Sequence, residues 1–93
     1  MASNDVTRKH ITFHGSVQGV GFRYRAHHAA NAVGCTGWVR NEWNGTVTME
    51  IQGEESQIDR VIGGIEQGRY VWIEKMDCET VPIVEGEWGF RVR

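Results

Sequence analysis

The stretch Gly15-Ser16-Val17-Gln18-Gly19-Val20-Gly21-Phe22-Arg23 joins two segments of different hydrophobic period. Before it, apolar and polar residues alternate from Arg8, with Ile11 and Phe13 on one face, which is typical of a strand. After it, apolar residues recur every three or four positions from Phe22 to Val33, which predicts an amphipathic helix. The glycines therefore mark a strand-to-helix turn, from which the rest of the fold can be placed.

Two further strands are predicted after this helix, which Gly34 is suited to end. Residues 35–41 return to alternation, and Asn44-Gly45 favours a hairpin because both residues tolerate positive φ. The third strand follows the hairpin at once. Its predicted inward face consists of Val47, Met49 and Ile51.

A second helix is predicted from Ser56, because Ser56-Gln57-Ile58-Asp59 resembles a capping box. Gly68 ends it, and residues 71–79 and 90–92 are predicted as a fourth strand and a short fifth one. The apolar stripe of the helix, at i, i+3, i+4 and i+7, consists of Ile58, Val61, Ile62 and Ile65.

The order β-α-β-β-α-β plus a short terminal strand predicts an α+β fold of the ferredoxin-like, split βαβ type. In that fold two helices cover one face of an antiparallel or mixed sheet. A right-handed crossover makes the first two strands parallel, with the third inserted between them. Their carboxyl ends then share one edge of the sheet, so we expect the glycine loop to lie close to Asn41.

The chain's size and composition predict one domain of an ordinary globular protein. Of 93 residues, 40% are hydrophobic and 24% charged, and we expect a flexible N-terminus at 1–7 and a single domain at 8–93. No apolar run is long enough for a membrane span, and the N-terminus lacks a signal peptide's apolar segment, so a cytoplasmic location is predicted. Cys35 and Cys78 fall on predicted strands at opposite sides of the central pair, which predicts no disulfide.

The charge distribution favours a small anionic partner over nucleic acid. The formal net charge of −2 argues against a nucleic-acid binder, which usually has a basic surplus. Up to Gly45 there are five basic and two acidic side chains, whereas from Thr46 onward there are five basic and ten acidic ones. A locally positive N-terminal half suits an anion, although solvated faces account for most such asymmetries.

The glycine loop has the chemistry of an anion site. Backbone N–H groups at a helix N-terminus carry partial positive charge, and glycine lets a ligand approach them closely. Arg23, in the first turn, opposes the helix dipole, and an anion between the amides and its guanidinium would resolve that conflict. The loop matches neither a Walker motif nor a dinucleotide fingerprint. Loop chemistry alone leaves an anion site and a plain turn equally open.

The same loop, taken with two later motifs, resembles the acylphosphatase family. The later motifs are Gly37-Trp38-Val39-Arg40-Asn41 and the turn Asn44-Gly45-Thr46-Val47. The resemblance runs from about Ile11 to Val92 and includes Gln52-Gly53 and the closing Phe90-Arg91-Val92. It implies hydrolysis of the carboxyl-phosphate bond of acyl phosphates by a monomer without metal or cofactor, with inorganic phosphate as product and inhibitor.

The resemblance also implies a role for each site residue. Arg23 would bind the phosphoryl oxygens, and Asn41 would orient the attacking water. The phosphate would be cradled by the backbone amides of Gln18, Gly19, Val20, Gly21 and Phe22. The chain departs from the family pattern at Ser16, at Glu42 and over residues 69–72, and Glu42 is expected to point away from the Asn41 face.

Two other functions are compatible with this order of elements. An RNA-recognition domain would need exposed aromatic residues on the central strands, but the outward positions of those strands carry no stacking platform. A domain of a larger carbamoyl-transfer protein would share the motifs, and the lack of a zinc-binding extension favours a stand-alone enzyme.

Arg25 and Arg40 beside the predicted site are interpreted as solvated or ion-paired charges. The histidine pairs His10/His14 and His27/His28 lack the spacing of a metal site.

Overall fold

The computed structural model describes residues 5–93, which form one five-stranded sheet and two helices. In chain order, the elements are β1 (Val6–Ser16), α1 (Phe22–Val33), β2 (Thr36–Asn41), β3 (Val47–Glu54), α2 (Glu55–Glu66), β4 (Trp72–Val81) and β5 (Phe90–Val92). The strands lie in the order β4-β1-β3-β2-β5, antiparallel except for the parallel pair β2–β5. The predicted ferredoxin-like topology, with β3 between β1 and β2, is confirmed.

The core lies between the sheet and the helices, on the faces that the hydrophobic periods indicate. Phe13 of β1 packs against Phe22, the first residue of α1, with ring centroids 4.8 Å apart. This contact fixes the end of β1 to the start of α1 and so holds the loop between them. The side chains that are at most 2% exposed include Ile11, Phe13, Phe22, Ala26, Ala30, Val47, Met49, Ile51, Ile58, Val61 and Ile65.

Several predicted boundaries differ from the observed ones by one to three residues. β1 begins at Val6, two residues before the predicted Arg8, because residues 6 and 7 pair with Glu54 and Gly53 of β3. Residues 1–4 of the predicted tail lie outside the described residues. The predicted start of α2 at Ser56 is also wrong. The Glu54 backbone N–H donates to Gln57 Oε1 at 2.9 Å, so the capping box begins at Glu54 and the helix at Glu55. β4 runs from Trp72 to Val81 rather than over 71–79.

The two cysteines are free thiols in different parts of the fold. Cys35 is buried directly before β2 rather than on it, Cys78 is exposed on β4, and β1 and β3 lie between those two strands. Neither described helix, at twelve residues each, has the length and apolar character to cross a bilayer.

Candidate active site

The loop between β1 and α1 folds back on itself through two glycines in left-handed conformations. Gly19 has φ 72° and Gly21 has φ 83°, values that residues with a Cβ adopt at a cost. A Cβ built at either position would meet nothing within 4 Å, so backbone conformation rather than lack of space requires glycine there. Val17, 1% exposed, anchors the loop in the core, and the glycines leave open space above it.

The amides at the start of α1 are available to a ligand. Gly21 is the N-cap residue and supplies no side-chain cap, and the first turn contains no acidic residue. The first N–H groups of a helix have no intrahelical partner, so these amides present unsatisfied donors and partial positive charge. Arg23 stands in this turn with an exposed side chain, and among residues 5–93 it forms no ion pair.

A cavity of about 170 Å³ brings the two predicted catalytic residues together. Its volume is more than five times the roughly 30 Å³ that a water molecule occupies in the liquid, enough for a phosphate-sized anion. Arg23 reaches it from α1, and Asn41 reaches it from the carboxyl end of β2, as the topology predicted. The lining consists of Val17, Gly19, Gly21, Phe22, Arg23, Tyr24 and Asn41.

Asn41 is the last residue of β2 and faces Val47 of β3. Its Oδ1 atom is buried and has no hydrogen-bond partner among residues 5–93. A buried acceptor without a partner costs free energy, so this oxygen needs a donor that residues 5–93 do not supply.

The neighbouring charged side chains have partners outside the cavity, and Glu42 points away from the Asn41 face as predicted. Glu42 accepts from Arg40 Nε at 3.0 Å on the sheet face opposite the helices, and hydrogen bonds from Thr48 and Arg40 lower the pKa of its carboxyl. Arg40 also lies over the Trp38 ring, 5.0 Å from its centroid. Arg25 donates to the carbonyl of Gly64 at 3.4 Å. Arg23 is therefore the arginine that lines this cavity.

Comparison with known proteins identifies the family. A model of the Acylphosphatase family matches residues 9–92, nearly the whole chain. This chain belongs to the acylphosphatase family. Among curated members, the acylphosphatase of Geobacillus kaustophilus is 41% identical over 86 residues, which cover 91% of this chain and 92% of that protein.

Solved structures of other family members share the fold. The crystal structure of acylphosphatase from Bacillus subtilis has a TM-score of 0.84 at 26% identity, over 94% of this chain and 98% of that one. An acylphosphatase from Coxiella burnetii has a TM-score of 0.82 at 32% identity, over 95% and 93% of the two chains. The fold described here therefore matches nearly the full length of both solved structures.

Two site features of this acylphosphatase were missed in the sequence. Gln18, expected only as a backbone donor, uses its side chain as a donor to the turn after Asn41, at 2.6 Å from Glu42 O and 2.9 Å from Thr46 O. Neither Gln18 nor Val20 lines the cavity, and the binding role of their amides stays a prediction. Tyr24 does line it, and no sequence motif pointed to that residue.

Tyr24 stands where the cavity meets two larger grooves. It also lines a groove of about 360 Å³ with His27 and Val92, and another of about 580 Å³ along α1. The residue is 67% exposed, and its ring lies against His28 with centroids 4.4 Å apart. The signal available in the sequence was an aromatic residue directly after Arg23. Within residues 5–93, no cluster of three or more His, Cys, Asp or Glu side chains is placed to hold a metal ion.

Proposed function

We propose that the protein hydrolyses acyl phosphates to a carboxylate and inorganic phosphate, by attack of water on a phosphoryl group held in the cavity between the loop and Asn41. Family membership supports the reaction class. One observation supports the position of the reaction at this cavity. The same small cavity is lined by an arginine without an ion pair among residues 5–93 and by Asn41, whose buried oxygen lacks a partner there.

The phosphoryl group is bound by donors and positive charge from one short segment. Backbone amides from Gln18 to Phe22 donate to its oxygens, and the partial charge of the α1 N-terminus adds to them. The planar guanidinium of Arg23 matches two phosphoryl oxygens at once. Phosphoryl transfer depends on positioning and charge stabilisation, and these groups supply both without a metal or cofactor.

Asn41 positions the nucleophile. A neutral amide cannot act as a base near neutral pH, but its oxygen can accept a hydrogen bond from water and aim the lone pair at phosphorus. The water oxygen forms the new P–O bond while the bond to the acyl oxygen breaks. The electron pair leaves on the carboxylate, and a phosphoryl oxygen takes the water proton. A carboxylate is a good leaving group, so no strong general acid is required.

The proposal includes several finer points. The residues that would carry the reaction come from one chain, so we expect a monomer to be active. Inorganic phosphate is expected to compete with substrate, since it presents the same oxygens to the loop and to Arg23. We also expect the enzyme to act in the cytoplasm, on small acyl phosphates.

The test is phosphate release from benzoyl phosphate and from p-nitrophenyl phosphate, with excess chelator and no added metal. We expect wild type to cleave the acyl phosphate only, and folded Arg23→Ala and Asn41→Ala to lose most of that activity. Arg60→Ala, which removes an exposed arginine of α2 that lines neither the cavity nor the two grooves beside it, is the matched control and should keep it. Folded wild type that cleaves neither substrate would refute the proposed function.

A further inference from the structure

The side chain of Gln18 ties the phosphate loop to the hairpin turn that follows Asn41. Its Nε2 atom donates to the carbonyl oxygen of Glu42 at 2.6 Å and to that of Thr46 at 2.9 Å. One amide nitrogen carries two hydrogens, so both donors are used. The side chain therefore bridges two segments that are 24 to 28 residues apart in the chain.

The two acceptors stand directly beyond the residue pair that ends the β2–β3 ladder. Glu42 follows Asn41, and Thr46 precedes Val47, the partner of Asn41 across the ladder. The turn is also closed by its own backbone bonds, Glu42 N to Thr46 O at 2.9 Å and Gly45 N to Glu42 O at 3.2 Å. Because the turn is already closed, the bonds from Gln18 mainly fix where it lies relative to the loop.

The residues on either side of Gln18 in the chain line the cavity. These neighbours are Val17 and Gly19, and Asn41 lines the same cavity. Gln18 is only partly exposed, so its hydrogen bonds are shielded from competing water. A displacement of the turn away from the loop would change the distance from the Asn41 amide to a phosphoryl group held by the loop.

We infer that Gln18 is a positioning residue, whose side chain sets Asn41 at the correct distance from the phosphoryl group. This rests on the proposed function. The side chain does not line the cavity, so its effect passes through the placement of Asn41 and of the water that Asn41 holds. Removing the link should impair turnover while leaving the loop and Arg23 able to bind phosphate.

The test compares kcat for benzoyl phosphate with the inhibition constant of inorganic phosphate in two variants. Gln18→Ala removes both hydrogen bonds, and Gln18→Glu keeps the size but turns an oxygen toward two carbonyl oxygens. Since a misplacement of about 1 Å can cost about a hundredfold in rate, we expect kcat to fall at least about tenfold in each. The inhibition constant of phosphate should stay within about twofold of wild type.

The matched control is Gln57→Ala, which also removes a partly buried amide with two hydrogen bonds, to Val33 O and from Glu54 N. It should destabilise the fold to a similar extent and leave kcat near wild type. If wild type turns over substrate and both Gln18 variants keep its kcat, the inference is refuted and the proposed function stands. A loss of phosphate binding parallel to the loss of kcat would have the same meaning. Wild type without turnover would refute the proposed function and the inference with it.

Discussion

Asn41 faces Val47 at the last pair of the β2–β3 ladder, and its Oδ1 atom is buried without a hydrogen-bond partner among residues 5–93. No group among residues 5–93 donates to this oxygen, so removing the side chain breaks no hydrogen bond of Oδ1 within the fold. We expect Asn41→Ala to leave the free energy of unfolding unchanged or to raise it by up to about 1 kcal/mol.

Urea denaturation at neutral pH measures this effect, with Asn31→Ala as the matched control. The Asn31 amide donates to Phe90 O at 3.4 Å and accepts from Phe90 N at 3.1 Å. Removing those bonds should cost about 1 kcal/mol. A loss of stability in Asn41→Ala as large as in Asn31→Ala would mean that Asn41 has a structural role instead.

Arg23 opposes the dipole of α1, whose first turn contains no acidic residue. We expect Arg23→Ala to raise the free energy of unfolding in dilute chloride buffer by about 0.3–1 kcal/mol. Inorganic phosphate should reverse this order, because it stabilises only the protein that binds it. At a hundred times its Kd, phosphate should add about 2.7 kcal/mol to wild type.

Thermal unfolding in phosphate and in sodium chloride of equal ionic strength separates specific binding from screening. The melting temperature of wild type should rise in phosphate, and that of Arg23→Ala should rise far less. Equal rises in the two proteins would place the phosphate away from Arg23.

Tyr24 lines the cavity and both adjoining grooves, so an acyl group leaving the phosphoryl site in either direction passes its ring. We expect Tyr24→Ala to raise KM for benzoyl phosphate several-fold more than KM for acetyl phosphate, since only the larger acyl group buries apolar surface on the ring. Inhibition by inorganic phosphate, which has no acyl group, is the internal control. An identical change in KM for the two substrates would exclude contact between the ring and the acyl group.

The sequence predicted the features that hydrophobic period or a general topology rule determines, and it missed those that depend on a particular contact between two segments. The alternation at Ile11 and Phe13 predicted the buried face of β1, and the crossover rule placed Asn41 beside the loop. The start of β1 at Val6 was not predicted, because those first residues become strand only by pairing with the end of β3. The hydrogen bonds of the Gln18 side chain were missed for the same reason. Their acceptors are backbone carbonyls of a turn, and every residue type has a backbone carbonyl, so the sequence does not indicate which ones accept.

An ion cluster on the sheet face opposite the helices makes the fold sensitive to acid. Arg8, 2% exposed, donates to Glu50 and Glu87, each at 2.7 Å. Burial alone would raise the pKa of Glu50, but hydrogen bonds from His10 and Arg8 outweigh it and hold that pKa below its usual value. Burial and the bond from Arg8 act on Glu87 in the same way, with a lowered pKa as the result.

A lowered carboxyl pKa stabilises the fold above the unfolded-state value of about 4.3, and the contribution is lost as pH falls through the folded-state value. We expect the free energy of unfolding to fall on acidification below about pH 5, and to fall less steeply in Glu50→Gln. Urea denaturation between pH 3 and pH 7 measures the slope, with the exposed Glu66→Gln as control. If the free energy of unfolding depends on pH equally in wild type and Glu50→Gln, the pKa of Glu50 does not differ between the folded and unfolded states.

The two thiols should differ in reactivity. Burial raises the pKa of Cys35 to about 11, whereas Cys78 is exposed on β4. Because the thiolate is the reactive form, we expect one thiol per native chain to react with a disulfide reagent at pH 8, and two in denaturant. Cys78→Ser should react only in denaturant. Rapid reaction of that variant under native conditions would mean that Cys35 is accessible.

The most direct test of the central claim is hydrolysis of benzoyl phosphate in ¹⁸O-labelled water, with mass analysis of both products. Water held by Asn41 attacks phosphorus, so we predict one ¹⁸O atom in the phosphate and none in the benzoate. Benzoate and phosphate incubated with the enzyme in labelled water control for exchange. Label in the benzoate would show attack at the carbonyl carbon and would contradict the mechanism proposed for this site.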